Sequence, residues 1–240
     1  MSSRVVLSVA LVLPLAGLGV GHPSVSTFSA EETATIQLYA APHSLRELLQ
    51  GSERIMVGSV VDDPTIVADE QIGINLRVRD DGWLKGKSIA HGPVRREGDD
   101  ASVVTVFVPT PAPSRIDKGD TLLLFLAPCD FTSKVTPVVG FGSGVFKVTA
   151  SETSLLMAQN TFGNLGLWES QADIDAIANP EQVQKELAAR VKTMKLTAAG
   201  EDRKMKWLMT KLNEPSRGAL PLDLLVAVIR AAVPPPDLPR

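Results

Sequence analysis

Residues 72–79 read IGINLRVR, and their alternation decides the fold class. Apolar positions alternate with small or polar ones, Ile72, Ile74, Leu76 and Val78 against Gly73, Asn75, Arg77 and Arg79. Because successive side chains of a strand point to opposite faces, this pattern predicts a strand that is buried on one face. The Asp80-Asp81-Gly82 stretch that follows has the composition of a turn.

Further strand signals surround this segment. They lie at residues 55–61 (IMVGSVV), 103–108 (VVTVFV) and 122–126 (LLLFL), the last of which indicates a fully buried central strand. A further region, residues 136–148, is interrupted by Gly140, Gly142 and Gly144, which favours a bulge or a tight barrel corner. Several short strands with one short helix between residues 44 and 167 favour a small antiparallel β-barrel or sandwich.

Helical signals flank the strands. Ser44 with Glu47 forms a capping-box sequence for a short helix that Gly51 closes. After residue 168, Asn179-Pro180 predicts a helix start, Gly200 is expected to break that helix, and residues 220–232 predict another helix. The expected fold is therefore mainly β with α: a small antiparallel β-barrel or sandwich with a short N-terminal helix and a helical C-terminal appendage.

The N-terminus has the layout of a secretory signal. Arg4 precedes the apolar residues 5–20 (VVLSVALVLPLAGLGV), and small residues follow up to Gly21. The run holds 16 residues including Pro14, whereas a bilayer-spanning helix needs about 20, so a retained anchor is the weaker interpretation. The predicted organisation is residues 1–21 as signal peptide, 22–43 as polar lead, 44–167 as barrel and 168–240 as appendage, with a periplasmic or extracellular location.

Composition limits the function further. A net charge of −3 argues against a general nucleic-acid binder, which needs a basic face. Cys129 is the single cysteine and cannot close an internal disulfide, and whether its thiol is reactive stays open. Residues 220–233 are apolar but too short and too charged to span a membrane, so we expect no membrane segment after signal cleavage.

The order of several motifs resembles a family of exported bacterial proteins of unknown function. The motifs, within residues 44–170, are Ser44-Leu45-Arg46-Glu47-Leu48, residues 55–61, Leu84-Lys85-Gly86, Lys118-Gly119-Asp120 before residues 122–126, Gly144-Val145-Phe146-Lys147-Val148, and residues 162–167. The resemblance implies an OB-like barrel similar to netrin and tissue-inhibitor modules. Inhibitors of that kind chelate zinc through an N-terminal cysteine, which the predicted mature chain lacks, so this inhibitory route is not supported.

No motif predicts a cofactor or a metal site. In Gly140-Phe141-Gly142-Ser143-Gly144 the glycine spacing fits neither a nucleophile elbow nor a dinucleotide fingerprint. The three histidines, His22, His43 and His91, are far apart, and there is no HExxH sequence. Calcium binding by loop acids is conceivable, but the EF-hand spacing is absent; these acids are Asp62, Asp63, Asp69, Glu70, Asp99 and Asp100.

Two functions follow as hypotheses. The first is a non-catalytic exported module that binds a protein, a glycan or another envelope component, through the loops at residues 62–70 and 86–100. The alternative is an exported hydrolase whose dyad is assembled only in three dimensions, with His91 in its glycine-flanked loop as the base. Nucleic acid is not an expected partner of either, and the oligomeric state stays open.

Overall fold

The computed structural model describes residues 42–68, 71–86, 94–96, 101–109, 115–128 and 138–233. Within these ranges ten strands form one sheet: β1 Arg54–Val60, β2 Thr65–Ala68, β3 Gln71–Arg79, β4 Trp83–Lys85, β5 Val94–Arg96, β6 Ala101–Pro109, β7 Thr121–Leu126, β8 Val145–Ala150, β9 Leu156–Asn160 and β10 Leu220–Pro221. The α-helices of these ranges are α1 Leu45–Gly51, α2 Gln171–Asp175, α3 Pro180–Thr193, α4 Ala198–Asn213 and α5 Leu222–Ala232.

The sheet is antiparallel and open. Its strand order is β10-β9-β8-β7-β1-β3-β6-β5, with β2 paired to β3 and β4 paired to β1. Within the described residues the two outermost strands, β5 and β10, do not pair with each other, so the sheet is not a closed barrel. The mainly β class with helices is confirmed, and the expectation of a closed OB-like barrel is wrong. Closure is not needed to bury the apolar face near β10, because helices cover that face instead.

The alternation in residues 72–79 is confirmed in β3. Leu76 and Val78 are fully buried, whereas Arg77 and Arg79 of the opposite face are exposed. The apolar face of β3 packs in a cluster with side chains of β1, β6 and β7, among them Val60, Val104, Val106, Leu122 and Leu124. The sequence pattern thus fixes which face of β3 presents the two arginines.

Strand β7 is the central strand that its sequence predicts. It pairs with β1 on one side and with β8 on the other. Its residues 122–126 are buried on both faces: Leu122, Leu124 and Leu126 pack in the cluster of β3, and Leu123 and Phe125 pack in a second cluster with the helices. Phe125 contacts Phe146 of β8 there, with ring centroids 5.6 Å apart.

Most of the predicted helices are confirmed, with one error. The capping box of Ser44 and Glu47 is formed at α1, and Asn179 caps α3 as expected. Gly200, however, does not break a helix, because it lies in the first turn of α4, and Thr197 caps that helix. The interruption lies before Thr197, where Lys195 adopts a φ of 52°. Gly200 is only three residues after the cap Thr197, so it lies at the start of α4 and has no preceding helical turn to interrupt.

Helices α3, α4 and α5 belong to the same core as the sheet. Buried side chains of all three pack with Leu123, Phe146 and Ala158 of the sheet, including Val183, Leu187, Leu208, Leu212, Leu225 and Val228. The short strand β10 precedes α5 directly and pairs with β9, which attaches the start of α5 to the sheet. This attachment determines where the first turn of α5 lies over the sheet.

Candidate functional site

A cavity of about 240 Å³ lies where the helical layer ends on the sheet. Its walls come from β1, β3, the 3-10 turn Asp80–Gly82, β4, β7, α3 and α5. It is lined by Val57, Gly58, Ser59, Arg77, Arg79, Asp81, Gly82, Leu84, Thr121, Arg190, Leu222 and Val226. We call it the arginine-lined cavity, because three of these residues are arginines.

Arg77 and Arg79 reach the cavity because of the period of two in β3. They share a face of the strand, and both side chains are exposed, so they lie at its solvent-facing rim. The Arg79 Nε atom donates a hydrogen bond to Asp81 Oδ1 over 3.2 Å. This carboxylate offsets part of the positive charge at the rim.

Arg190 approaches from the helical layer and is more buried. Its Nη1 atom donates to Asp223 Oδ1 over 3.1 Å, and the side chains of this pair are 23% and 29% exposed. The Nε atom of Arg190 is buried and has no hydrogen-bond partner among the described residues. A buried donor without an acceptor costs about 1–3 kcal/mol.

The turn beside the cavity is held close to the sheet. A Cβ atom at Gly82 would lie 2.6 Å from the Val57 carbonyl oxygen, so this close approach requires glycine. Arg230 of α5 donates from Nη2 to the carbonyl oxygen of Asp81 over 2.6 Å. The turn that carries Asp81 is therefore fixed to both the sheet and α5.

The rest of the lining is apolar or carries a neutral hydroxyl group. Leu222 and Val226 are four residues apart in α5 and thus share one helix face, and Val57 and Leu84 come from the sheet. Ser59 and Thr121 lie on neighbouring strands, with their hydroxyl oxygens 3.5 Å apart.

This arrangement favours binding of an anion. Guanidinium groups form short, often bidentate hydrogen bonds with carboxylates and phosphates, and the apolar wall lowers competition from water. Among the described residues, the lining of the cavity includes no histidine, cysteine or lysine, and the carboxylate of Asp81 is paired with Arg79. The described lining therefore offers groups that recognise charge.

A second, larger groove of about 530 Å³ is less suited to an anion. It is lined by Arg46, Leu49, Gln50, Lys85, Ala176, Ile177, Ala232 and Val233. The Lys85 Nζ atom donates to the carbonyl oxygens of Leu49 and Ser52 over 2.8 Å and 2.5 Å, so its charge stabilises the end of α1. Burial lowers the pKa of Lys85, because partial desolvation disfavours the charged ammonium group.

The glycine-rich segment around Ser143 is structural. Phe141–Gly144 form a 3-10 turn directly before β8, so the expected barrel corner is a turn at a strand start. The backbone N–H of His43 donates to Ser143 Oγ over 3.2 Å, a proximity that the sequence did not predict. Ser143 is fully buried, and Asn160 Nδ2 donates to its carbonyl oxygen over 3.1 Å. The Ser143 hydroxyl group thus connects the residues just before α1 to the turn before β8, and it is not accessible to a substrate.

Other residues singled out from the sequence are only partly covered by the structure. His22, His91 and Cys129 lie outside the described residues, as do Asp69, Glu70, Asp99 and Asp100, so the hydrolase with His91 stays a prediction. Of the candidate contact loops, residues 62–68, 86 and 94–96 are described. Asp62 accepts a hydrogen bond from Asn75 Nδ2 over 3.1 Å.

The described ranges offer neither a metal site nor a membrane span. They contain no group of three or more histidine, cysteine, aspartate or glutamate side chains that could hold a metal ion. They also contain no helix that is long and apolar enough to cross a membrane.

Comparisons with protein-family models and with curated proteins gave no match. The resemblance to exported bacterial proteins therefore stays a prediction from the motif order. Evidence for a function comes from the arginine-lined cavity itself, which sequence analysis did not single out. The alternation in β3 could have placed Arg77 and Arg79 together, but nothing in the sequence places Arg190 beside them.

Proposed function

We propose that this protein is an exported, non-catalytic binding module of the cell envelope or the secreted fraction, and that it binds an anionic ligand in the arginine-lined cavity. The observation that carries the proposal is the convergence of Arg77, Arg79 and Arg190 on a partly apolar cavity of about 240 Å³. Concave sites with an apolar wall and a few placed polar groups are the usual form of ligand-binding sites.

The architecture supports such a role. Arg77 and Arg79 come from strand β3 of the sheet and Arg190 from helix α3, and the ion pair with Asp223 holds the Arg190 guanidinium group in place. Charged groups that are already positioned lose little entropy when a ligand binds. Export is supported by the signal-like residues 5–20, and an OB-like arrangement of the strands by the motif order that resembles exported bacterial proteins.

Blocking the cavity tests the binding proposal. Ser59 lies on a strand and is exposed, so Ser59→Trp places an indole ring in the cavity without disturbing a core position. Ile66→Trp is the matched control, because Ile66 is 87% exposed on a strand and does not line the cavity. The melting temperatures of the wild type and of both variants are measured without added ligand and with increasing concentrations of five anions: sulfate, inorganic phosphate, hexanoate, benzoate and glucuronate.

At least one of these anions is expected to raise the melting temperature saturably in the wild-type protein and in Ile66→Trp. The increase is expected to disappear in Ser59→Trp, because the site is filled. Absence of any saturable effect, or an equal effect in Ser59→Trp, contradicts binding in this cavity.

Export is tested separately on the full chain expressed in a bacterial host. Intact-mass measurement of the periplasmic or secreted protein is expected to show a chain that begins near His22, because the signal is expected to be removed after Gly21. Recovery only from the cytoplasm with residues 1–21 retained contradicts export.

A further inference from the structure

We infer that the ligand of the arginine-lined cavity is a small monocarboxylic acid with a short apolar chain or ring. The inference rests on the proposed function and adds the ligand's chemical class. Three properties of the cavity support it: the Arg190 guanidinium group that Asp223 holds in place, the apolar wall, and the balance of charge.

The carboxylate is recognised by Arg190. Its Nη1 atom is engaged by Asp223, which holds the guanidinium plane, and 23% of the Arg190 side chain is exposed at the cavity that it lines. The planar edge of a guanidinium group matches the two oxygens of a carboxylate, and such hydrogen bonds are roughly twice as strong as neutral ones. Arg77, on the sheet side of the same cavity, adds a second positive charge.

The apolar part of the ligand packs on four side chains, two from the sheet and two from α5. These are Val57, Leu84, Leu222 and Val226. The volume of about 240 Å³ is below the range of about 300–1,000 Å³ that is typical for sites of drug-sized ligands. A short acyl chain or a single ring fits such a volume, and a long fatty-acid chain does not.

The charge balance favours a monoanion over a phosphate dianion. Asp81 also lines the cavity, and Asp223 pairs with Arg190, so two carboxylates lie close to the bound anion. Lys204 lies near Asp223 and offsets part of its negative charge, although burial lowers the pKa of Lys204. Since like charges close together repel, a second negative charge on the ligand is disfavoured.

Calorimetric titrations at pH 7 test the ligand class with four probes. Hexanoate carries both the carboxylate and the chain, acetate lacks the chain, 1-hexanol lacks the charge, and hexyl phosphate exchanges the carboxylate for a phosphate. Hexanoate is expected to bind saturably, and each of the other three at least about tenfold more weakly, because each lacks one matched feature.

Arginine variants test the recognition of the carboxylate. Arg190→Gln is expected to weaken hexanoate binding at least about tenfold and to leave the already weak binding of 1-hexanol unchanged. The matched control is Arg115→Gln, which removes an exposed Arg–Asp ion pair outside the cavity and is expected to bind hexanoate as the wild type does. Arg77→Gln, at an exposed position, is expected to weaken binding as well, and it remains informative if Arg190→Gln does not fold.

The outcomes separate the ligand class from the proposed function. If hexyl phosphate binds more strongly than hexanoate and Ser59→Trp abolishes its binding, the protein is still an anion-binding module. The inference that its ligand is a monocarboxylic acid is then wrong. Equal binding of hexanoate and 1-hexanol also overturns it. If none of the probes and none of the five anions binds saturably, both the inference and the proposed function are wrong.

Discussion

Replacing Leu124 by alanine is expected to destabilise the protein by about 3–4 kcal/mol. Leu124 is fully buried in β7, the strand that joins the two halves of the sheet. Its cross-strand neighbours, Met56 of β1 and Val145 of β8, are also fully buried and pack in the same cluster. Buried leucine-to-alanine changes cost about 2–5 kcal/mol, and the upper part of this range applies where the surroundings cannot collapse into the cavity.

The free energy of unfolding is measured by urea denaturation, and the melting temperature by circular dichroism. For a protein of this size, 1 kcal/mol corresponds to about 2–4 °C, so the melting temperature is expected to fall by about 6–16 °C. Leu156→Ala is the matched control, because Leu156 lies in β9 of the same sheet but is 48% exposed. We expect it to lose less than about 1 kcal/mol.

An equal loss in the two variants would refute the assignment of Leu124 to a core shared by β1, β7 and β8. A loss below about 1 kcal/mol for Leu124→Ala would refute it as well, because a fully enclosed leucine cannot be truncated at that cost.

Three further predictions concern stability. Leu124→Asp places an unpaired charge in the same core at a cost of several kcal/mol and is expected to abolish soluble expression; normal yield would contradict the burial. Ser44→Ala removes the hydroxyl group that caps α1 and, after the Ser44 backbone N–H, contributes most to lowering the pKa of Glu47 below 4.5. This variant should lose about 1 kcal/mol of stability near neutral pH, and NMR titration should show a higher pKa for Glu47. Because the lowered pKa of Glu47 stabilises the fold above the unfolded-state pKa, the wild type should lose this contribution as the pH falls through the lowered pKa. An unchanged pKa of Glu47 in the variant would contradict the capping box. Gly86→Ala should cost more than about 1 kcal/mol in urea unfolding, because φ is 63° and the new Cβ would lie 2.5 Å from the Glu53 carbonyl oxygen; a neutral effect would contradict that backbone geometry.

Local patterns predict the elements of this fold well. The structure confirms three of these predictions: the one-sided burial of β3, the full burial of β7 and the capping box of Ser44 with Glu47. Each depends only on contacts within one element or on the burial of that element. The Asn179-Pro180 signal likewise marks the start of α3.

Closure of the sheet is not encoded in such patterns. Whether β5 and β10 pair depends on how far the sheet curls and on what else covers its apolar face. Here α3, α4 and α5 provide that cover, so the same strand signals give an open sheet. Strands as short as β4 and β10, with three and two residues, carry no periodicity that a sequence pattern can detect.

The candidate site was missed for a related reason. Arg190 and Asp223 are 33 positions apart in the sequence, and their ion pair depends on the packing of α3 against α5. The sequence predicts that Arg77 and Arg79 lie on the solvent-exposed face of a strand, and they do. The last turn of α3 and the first turns of α5 also lie at that face and form the other side of the cavity, which no pattern in β3 predicts. The proposed function therefore depends on tertiary contacts between elements whose own sequence patterns are ordinary.

An NMR titration of the mature protein with hexanoate locates the ligand. The largest changes in backbone amide shifts are expected in residues 57–59, 77–84 and 222–226 and at Arg190, which together surround the arginine-lined cavity. Changes concentrated instead around Arg46, Lys85 and Ala232, in the second groove, would contradict binding in the arginine-lined cavity, and the absence of any saturable change would contradict a monocarboxylate as its ligand.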